Sequence, residues 1–124
     1  MNDIQIFVNC PEKNINYLAD VINSHIKGKY VIRDINEDEI KYVYDNELID
    51  SIISCNIFDG IEDDVDLELY DFVISSRYIL RKGFSVEKME NMLNDFSQNI
   101  AKALADERIS GLMMLNLAKK ISEF

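Results

Sequence analysis

FDGIEDDVDLELYDFVISSRYIL, residues 58–80, contains two alternating runs separated by Asp71. In an extended chain successive side chains point to opposite faces. Over Ile61–Tyr70 this puts Glu62, Asp64, Asp66 and Glu68 on one face, with Asp63 beside them, and Val65, Leu67 and Leu69 on the other. Carboxylates two residues apart on such a strand lie about 6.6–6.8 Å apart, so their fields add over a patch. The expectation is an acidic strand face with an apolar underside. In the second run Phe72, Ile74, Ser76, Tyr78 and Leu80 face one way and Val73, Ser75, Arg77, Ile79 and Arg81 the other. The two runs pair as a tight hairpin or continue as one bent strand.

The charge around these runs is uneven. The chain has 124 residues, 48% hydrophobic and 29% charged, with a net charge of −10. Residues 34–71 hold 14 of the 23 acids and, in Lys41, one of the 13 bases, which makes that segment −13 and the remainder +3. The composition is that of one folded domain over residues 1–124, large enough to bury a core without staples. Phosphate binding needs clustered Lys and Arg, so nucleic acid is a poor partner and a cationic protein a good one. Cys10 and Cys55 form no metal or redox spacing and read as reduced thiols. The stretch MNDIQIFVN lacks the basic and apolar regions of a secretory signal, and no apolar run approaches a membrane span, so the expectation is a cytoplasmic protein with no membrane partner.

Taken in order, Ile4–Val8 reads as a first strand, and residues 11–26 as an amphipathic helix on Ile15, Leu18, Ile22 and Ile26, with Pro11 at its start and Gly28 at its end. His25 near that end complements the helix dipole. Tyr30–Ile35 and Ile40–Asp45 are rich in β-branched and aromatic residues around a polar NEDE turn, a hairpin with Glu37, Asp38 and Glu39 at its tip. Tyr42 and Tyr44 share a strand face with Ile40; such tyrosines pack on a core with the hydroxyl at its rim or serve as interface anchors. Leu48, Ile49, Ile52 and Ile53 suggest a short helix over 47–54 capped by Asn46. Ser85 caps a long helix on Val86, Met89, Leu93, Phe96, Ile100 and Leu104. Beyond Gly111, Leu112–Ile121 reads as a last helix, apolar around much of its girth, which is either buried in the core or leaves Met113, Met114 and Leu117 as a face for a homodimer. The fold class is α+β, with an antiparallel or mixed sheet of about five strands and helices packed on it, in the order β-α-β-β-α-β-β-α-α.

Catalytic patterns are missing. Four glycines at 28, 60, 83 and 111 make neither GxGxxG nor a P-loop. A nucleophile would have to recruit the lone His25, and the acids after Asp59 lack the ligand register of an EF-hand. An exposed row of like charges also gives no reason for one carboxyl to be tuned as an acid. The expectation is therefore a non-enzymatic protein without cofactor or metal. Its partner-binding residues would be Glu37, Asp38, Glu39, Glu62, Asp63, Asp64, Asp66 and Glu68, with Tyr42 and Tyr44.

In profile, as one compact acidic α+β domain with no catalytic set, the chain resembles the small cytoplasmic immunity proteins of contact-dependent growth inhibition and related toxin systems. That resemblance implies a bacterial toxin domain as partner, bound one to one and blocked. A nuclease suits the charge, because its site is lined with Lys and Arg for phosphate. From Pro11 to Leu104 the element order also resembles the class I type III secretion chaperones, dimeric adaptors that hold an extended client on apolar surface. It departs from them by lacking a strand between Asp45 and Glu47 and by adding one before the first helix. This alternative places function on Met113, Met114 and Tyr42.

Overall fold

The structure is a computed structural model that describes residues 2–10, 14–27, 29–36 and 39–124. Its centre is β1 (Asp3–Asn9), an apolar strand paired antiparallel on both sides. One neighbour is β7 (Phe72–Tyr78), with Ile6 opposite Ile74, and the other is β8 (Ser110–Leu115), with Ile6 opposite Met113. Outward from β7 lie β4 (Ile49–Cys55), β3 (Glu39–Asp45) and β2 (Val31–Asn36); outward from β8 lies β9 (Lys119–Glu123). The seven strands form one sheet in the order β2-β3-β4-β7-β1-β8-β9, antiparallel throughout. The α+β class and the hairpin over Tyr30–Asp45 hold, while the sheet has two strands more than the five expected.

Two helices cover one face of the sheet. Helix α1 (Ile15–Asn23) starts where Asn14 Oδ1 accepts the amides of Asn16 and Tyr17, at 2.9 and 3.4 Å, satisfying donors the first turn leaves open. It is shorter than the helix read over 11–26, and Pro11 and Gly28, assigned to its ends, lie outside the described residues. Helix α2 (Val86–Asp106) runs for 21 residues from the expected cap, Ser85, whose Oγ accepts the Lys88 amide at 3.1 Å. Leu18 and Ile22 of α1 and Met89, Leu93, Ile100 and Leu104 of α2 are fully buried against Ile4, Ile6 and Val8 of β1 and Phe72 and Ile74 of β7. The two helices end near one another, where His25 Nε2 lies 3.7 Å from Glu107 Oε1.

Tyr42 and Tyr44 turn to this same helical face. Tyr42 is buried with its hydroxyl donating to Asn16 Oδ1, and the Tyr44 ring packs on Tyr30 and Phe96 at centroid distances of 5.4 and 5.0 Å. The Tyr30 hydroxyl is bonded to Ser51 Oγ at 2.6 Å, and that oxygen to Ser76 Oγ at 2.7 Å, a buried chain that satisfies all three groups. Burial pushes the Tyr30 phenol well above its ordinary range. The interface role expected of Tyr42 and Tyr44 is therefore corrected to a core role.

Two segments read as helices are strands. Of residues 47–54, those from Ile49 on lie in β4, because Ile49, Ser51 and Ile53 also fit a period of two, and both edges of that strand are taken, by β3 and β7. Asn46 caps no helix; its Oδ1 accepts the amides of Leu48 and Ile49, each at 2.7 Å, and turns β3 into β4. The last helix over Leu112–Ile121 is the hairpin β8–β9. Leu112 and Met114 face away from the helices and Met113 toward them, so a continuous apolar run is what a strand covered on both faces requires. Met113 and Met114 are at 0% exposure and Leu117 is half-buried, so the apolar helical face expected of them does not form. Among the described residues no helix is long and apolar enough to cross a membrane.

Gly111 sits opposite Val8 where β8 pairs with β1, with no room for a side chain. A Cβ there would stand 2.3 Å from the carbonyl oxygen of Phe7 and 2.8 Å from Cζ of Phe124. The first atom is backbone in the central strand and cannot move aside cheaply. Gly111→Ala is expected to cost at least about 2 kcal/mol, within the range for overpacking a tight core. Urea unfolding measures this, and a loss under about 0.5 kcal/mol would show that the strands separate freely.

Candidate functional site

The acidic stretch lies on the other face of the sheet. The alternating strand expected over Ile61–Tyr70 does not form, because β4 and β1 already occupy both edges of β7. The chain instead makes a small hairpin of β5 (Ile61–Glu62) and β6 (Val65–Asp66), followed by one 3₁₀ turn at Leu67–Leu69. Asp63 and Asp64 form the two-residue loop with φ of 49° and 62°, the positive values that a type I′ turn requires and Asp tolerates. Asp66 Oδ1 accepts the Glu68 amide at 3.2 Å and starts the turn.

The underside of this segment is a second core. Val65 and Leu67 are buried, with Phe58, Tyr70 and Leu117 packed beside them, against Phe7, Val73, Leu112 and Met114 of the sheet. The Phe7 ring meets Phe58 at 5.9 Å, nearly edge-on, and Tyr70 at 5.8 Å. Val65 and Leu67, both buried, contribute up to about 1.5–3 kcal/mol each, which holds a strongly charged segment on the sheet. The expected apolar side is thus correct at Val65 and Leu67 and wrong at Leu69, which the 3₁₀ turn rotates outward to 70% exposure.

Polar bonds fix the segment at both ends. Asn56 Nδ2 donates to the carbonyls of Leu67 and Tyr70 at 2.7 and 2.9 Å, and its Oδ1 accepts the Phe58 amide at 2.9 Å. The Asp71 amide donates to Val8 O at 3.0 Å, while its Oδ2 accepts the Cys10 amide at 3.2 Å. Asp63 Oδ2 accepts the Lys120 amide at 2.8 Å, tying the hairpin tip to β9. The Lys120 ammonium bonds Glu123 Oε1 at 3.0 Å; that carboxylate, and secondarily Asp63, holds the ammonium above its ordinary range.

Glu62, Asp63, Asp64 and Glu68 are therefore exposed together on one clamped loop, with Asp66 half-buried beneath them. Exposed Ile57, Ile61 and Leu69 lie among them in the chain, Ile61 at 72%. Tyr42 and Tyr44 lie on the opposite face and take no part. Glu37 and Asp38 fall outside the described residues; Glu39 begins β3, at the end of the sheet where β4 finishes at Cys55.

The same face carries residues that the sequence reading passed over. Beyond the loop, Asp3, Val43, Asp50, Ile52, Ser75 and Arg77 line an open concavity of about 490 Å3, and Arg77 Nη2 lies 3.5 Å from Asp50 Oδ2. The signal was present: once residues 49–55 are read with a period of two, Asp50 and Ile52 fall on the face opposite Ser51 and Ile53. Among the described residues, no three His, Cys, Asp or Glu side chains gather as a metal-holding group. No protein-family model matches the chain, and neither a curated protein nor a solved structure matches it.

Leu67 and Leu69 separate this arrangement from a simple alternating strand. Leu67→Ala is expected to cost about 2–5 kcal/mol and Leu69→Ala less than about 0.5 kcal/mol, measured by urea unfolding. Equal losses at the two positions would return the segment to the alternating form.

Proposed function

We propose that this chain is a binding protein for a cationic protein partner, and in the narrower reading an immunity protein that blocks a basic toxin domain, a nuclease for choice, one to one. The observation that carries the reading is the clamped loop of residues 56–71, which joins exposed carboxylates to the exposed aliphatics Ile57, Ile61 and Leu69. Carboxylates alone would serve solubility. Large apolar side chains left in water beside them are what a desolvated contact with a charged rim needs.

Each physical property of the loop suits that task. The field of a −13 segment draws a basic surface in and raises the encounter rate. The clamps at Asn56, Asp63 and Asp71 order the loop before binding, so little conformational entropy remains to be lost in the complex. A nuclease site attracts phosphate, and a fixed acidic loop competes for the same field. The chaperone-like alternative rested on Met113, Met114 and Tyr42, and all three are interior, which is why the acidic loop is preferred.

The test is a pull-down from lysate of the producing cell at low and high salt, followed by stopped-flow association with the captured protein. Bait is wild type or a triple variant, Glu62→Lys, Asp64→Lys and Glu68→Lys; Asp63 and Asp66 are left intact because they bond the backbone. A basic partner should be held by the wild type, with an association rate at least about tenfold above the variant's at low salt and a difference that shrinks as salt rises. Equal capture and equal rates at low salt would reduce the acidic loop to a solubility device.

A further inference from the structure

The acidic loop covers only part of its side of the sheet. The part spanning β2, β3, β4 and β7 is bare, and its concavity of about 490 Å3 has a chemistry distinct from the loop's. We propose that this groove docks a basic amphipathic helix of a partner protein, an inference that shares with the loop reading only the sign of the partner's charge.

Two cross-strand rows cross this face, lining the groove at Asp3, Asp50 and Arg77 in one and at Val43, Ile52 and Ser75 in the other, and running past it to Asp45 and Val31. One runs Asp45, Asp50, Arg77, Asp3 across β3, β4, β7 and β1, each directly opposite the next in register. It sets three carboxylates against one guanidinium. Arg77 is paired with Asp50, and neither Asp45 nor Asp3 has an ion pair among the described residues. Asp45 and Asp50 face one another as like charges, with side-chain origins about 4.5–5.5 Å apart, a destabilising arrangement that Arg77 relieves at Asp50 and that a further cation beside Asp45 would relieve more.

The second row runs Val31, Val43, Ile52, Ser75 across β2, β3, β4 and β7. It lies two residues along the strands from the first, about 6.6–6.8 Å away. Val31 is 51% and Ile52 41% exposed, and Val43 is half-buried. Ser75, small where its neighbour Ile52 is large, leaves the depth of the groove. An apolar row beside an acidic row matches a helix with aliphatic residues on one side and Lys or Arg along its flank. The width agrees as well: three strand intervals make about 14 Å, and a helix with its side chains measures about 10–12 Å. The opposite face of this sheet is already covered by α1 and α2. A second copy of the chain is disfavoured, since it would bring another charge of −10 to an acidic row.

The probe is a fluorescently labelled 18-residue peptide of Leu and Arg, patterned as an amphipathic helix, titrated by anisotropy. Its controls are a peptide of the same composition with the pattern scrambled and an analogue with Glu in place of Arg. The patterned peptide should bind at least tenfold tighter than the scrambled one, and the Glu analogue should not bind. Ile52→Ser and Asp45→Asn, both at exposed side chains, should each weaken it at least fivefold, while the Lys variant of the loop stays within twofold of wild type. Peptide-induced amide shifts on wild-type protein supply a readout that needs no variant, and they should centre on Val43, Asp45, Asp50 and Ile52. Equal affinity for the scrambled peptide, shifts confined to residues 56–71, or a dimer in sedimentation that Ile52→Ser dissolves would each overturn the proposal. The loop reading is judged separately by the association rates of the triple variant, so either idea can fail alone.

Discussion

Everything in this molecule depends on β1 having to be covered on both faces. Its even-numbered side chains, Ile4, Ile6 and Val8, belong to the core under the helices, while Phe7 belongs to the smaller core under the loop. A central strand buried on both faces contributes its full apolar area only if two separate covers exist, and the chain supplies two of different kinds. One is a pair of amphipathic helices, a cover whose backbone bonds are satisfied internally. The other is an irregular segment whose backbone must be satisfied piecemeal, which is what Asn56, Asp66 and Asp71 do.

That second cover joins stability to the proposed function. The charge of residues 34–71 repels itself, yet Phe58, Val65, Leu67 and Tyr70 bring part of this segment onto the sheet by burying apolar surface against Phe7 and its neighbours. The carboxylates point outward as a consequence. Two carboxylates also accept backbone amides, the exposed Asp63 from Lys120 and the half-buried Asp71 from Cys10. The loop is ordered by its underside and its clamps, so its outer face can remain charged and partly apolar at the same time. The bare groove beside it follows from the loop's length: the segment closes over Phe7, Val73, Leu112 and Met114 and leaves Val31, Val43 and Ile52 uncovered.

Much of this was legible in the residues. The spacing of Met89, Leu93, Ile100 and Leu104 behind Ser85 could form little else than a long helix facing a core, and it did. The alternation of Phe72–Tyr78 and the β-branched, aromatic hairpin on either side of residues 37 and 38 were equally direct. The acidic bias of residues 34–71 was visible by counting. Local pattern failed where a short apolar run fits two periods. Leu48, Ile49, Ile52 and Ile53 suit a helix face, yet Ile49, Ser51 and Ile53 suit a strand, and the open edges of β3 and β7 chose the strand. Leu112–Leu115 reads the same whether it is a helix buried all round or a strand buried on both faces.

The sequence by itself determined the α+β class, the long helix, the alternation over Phe72–Tyr78 and the concentration of negative charge, because these depend on side chains within a few residues of one another. Only the tertiary structure decided that the acidic run is a loop and not a strand. Whether it could extend depended on whether β7 had a free edge, and β1 and β4 arrive there from 65 and 20 residues or so away in the chain. It likewise decided that Tyr42 and Tyr44 face inward and that Asp45, Asp50, Arg77 and Asp3 form one row, since strand register is an agreement among several distant segments that no one of them encodes.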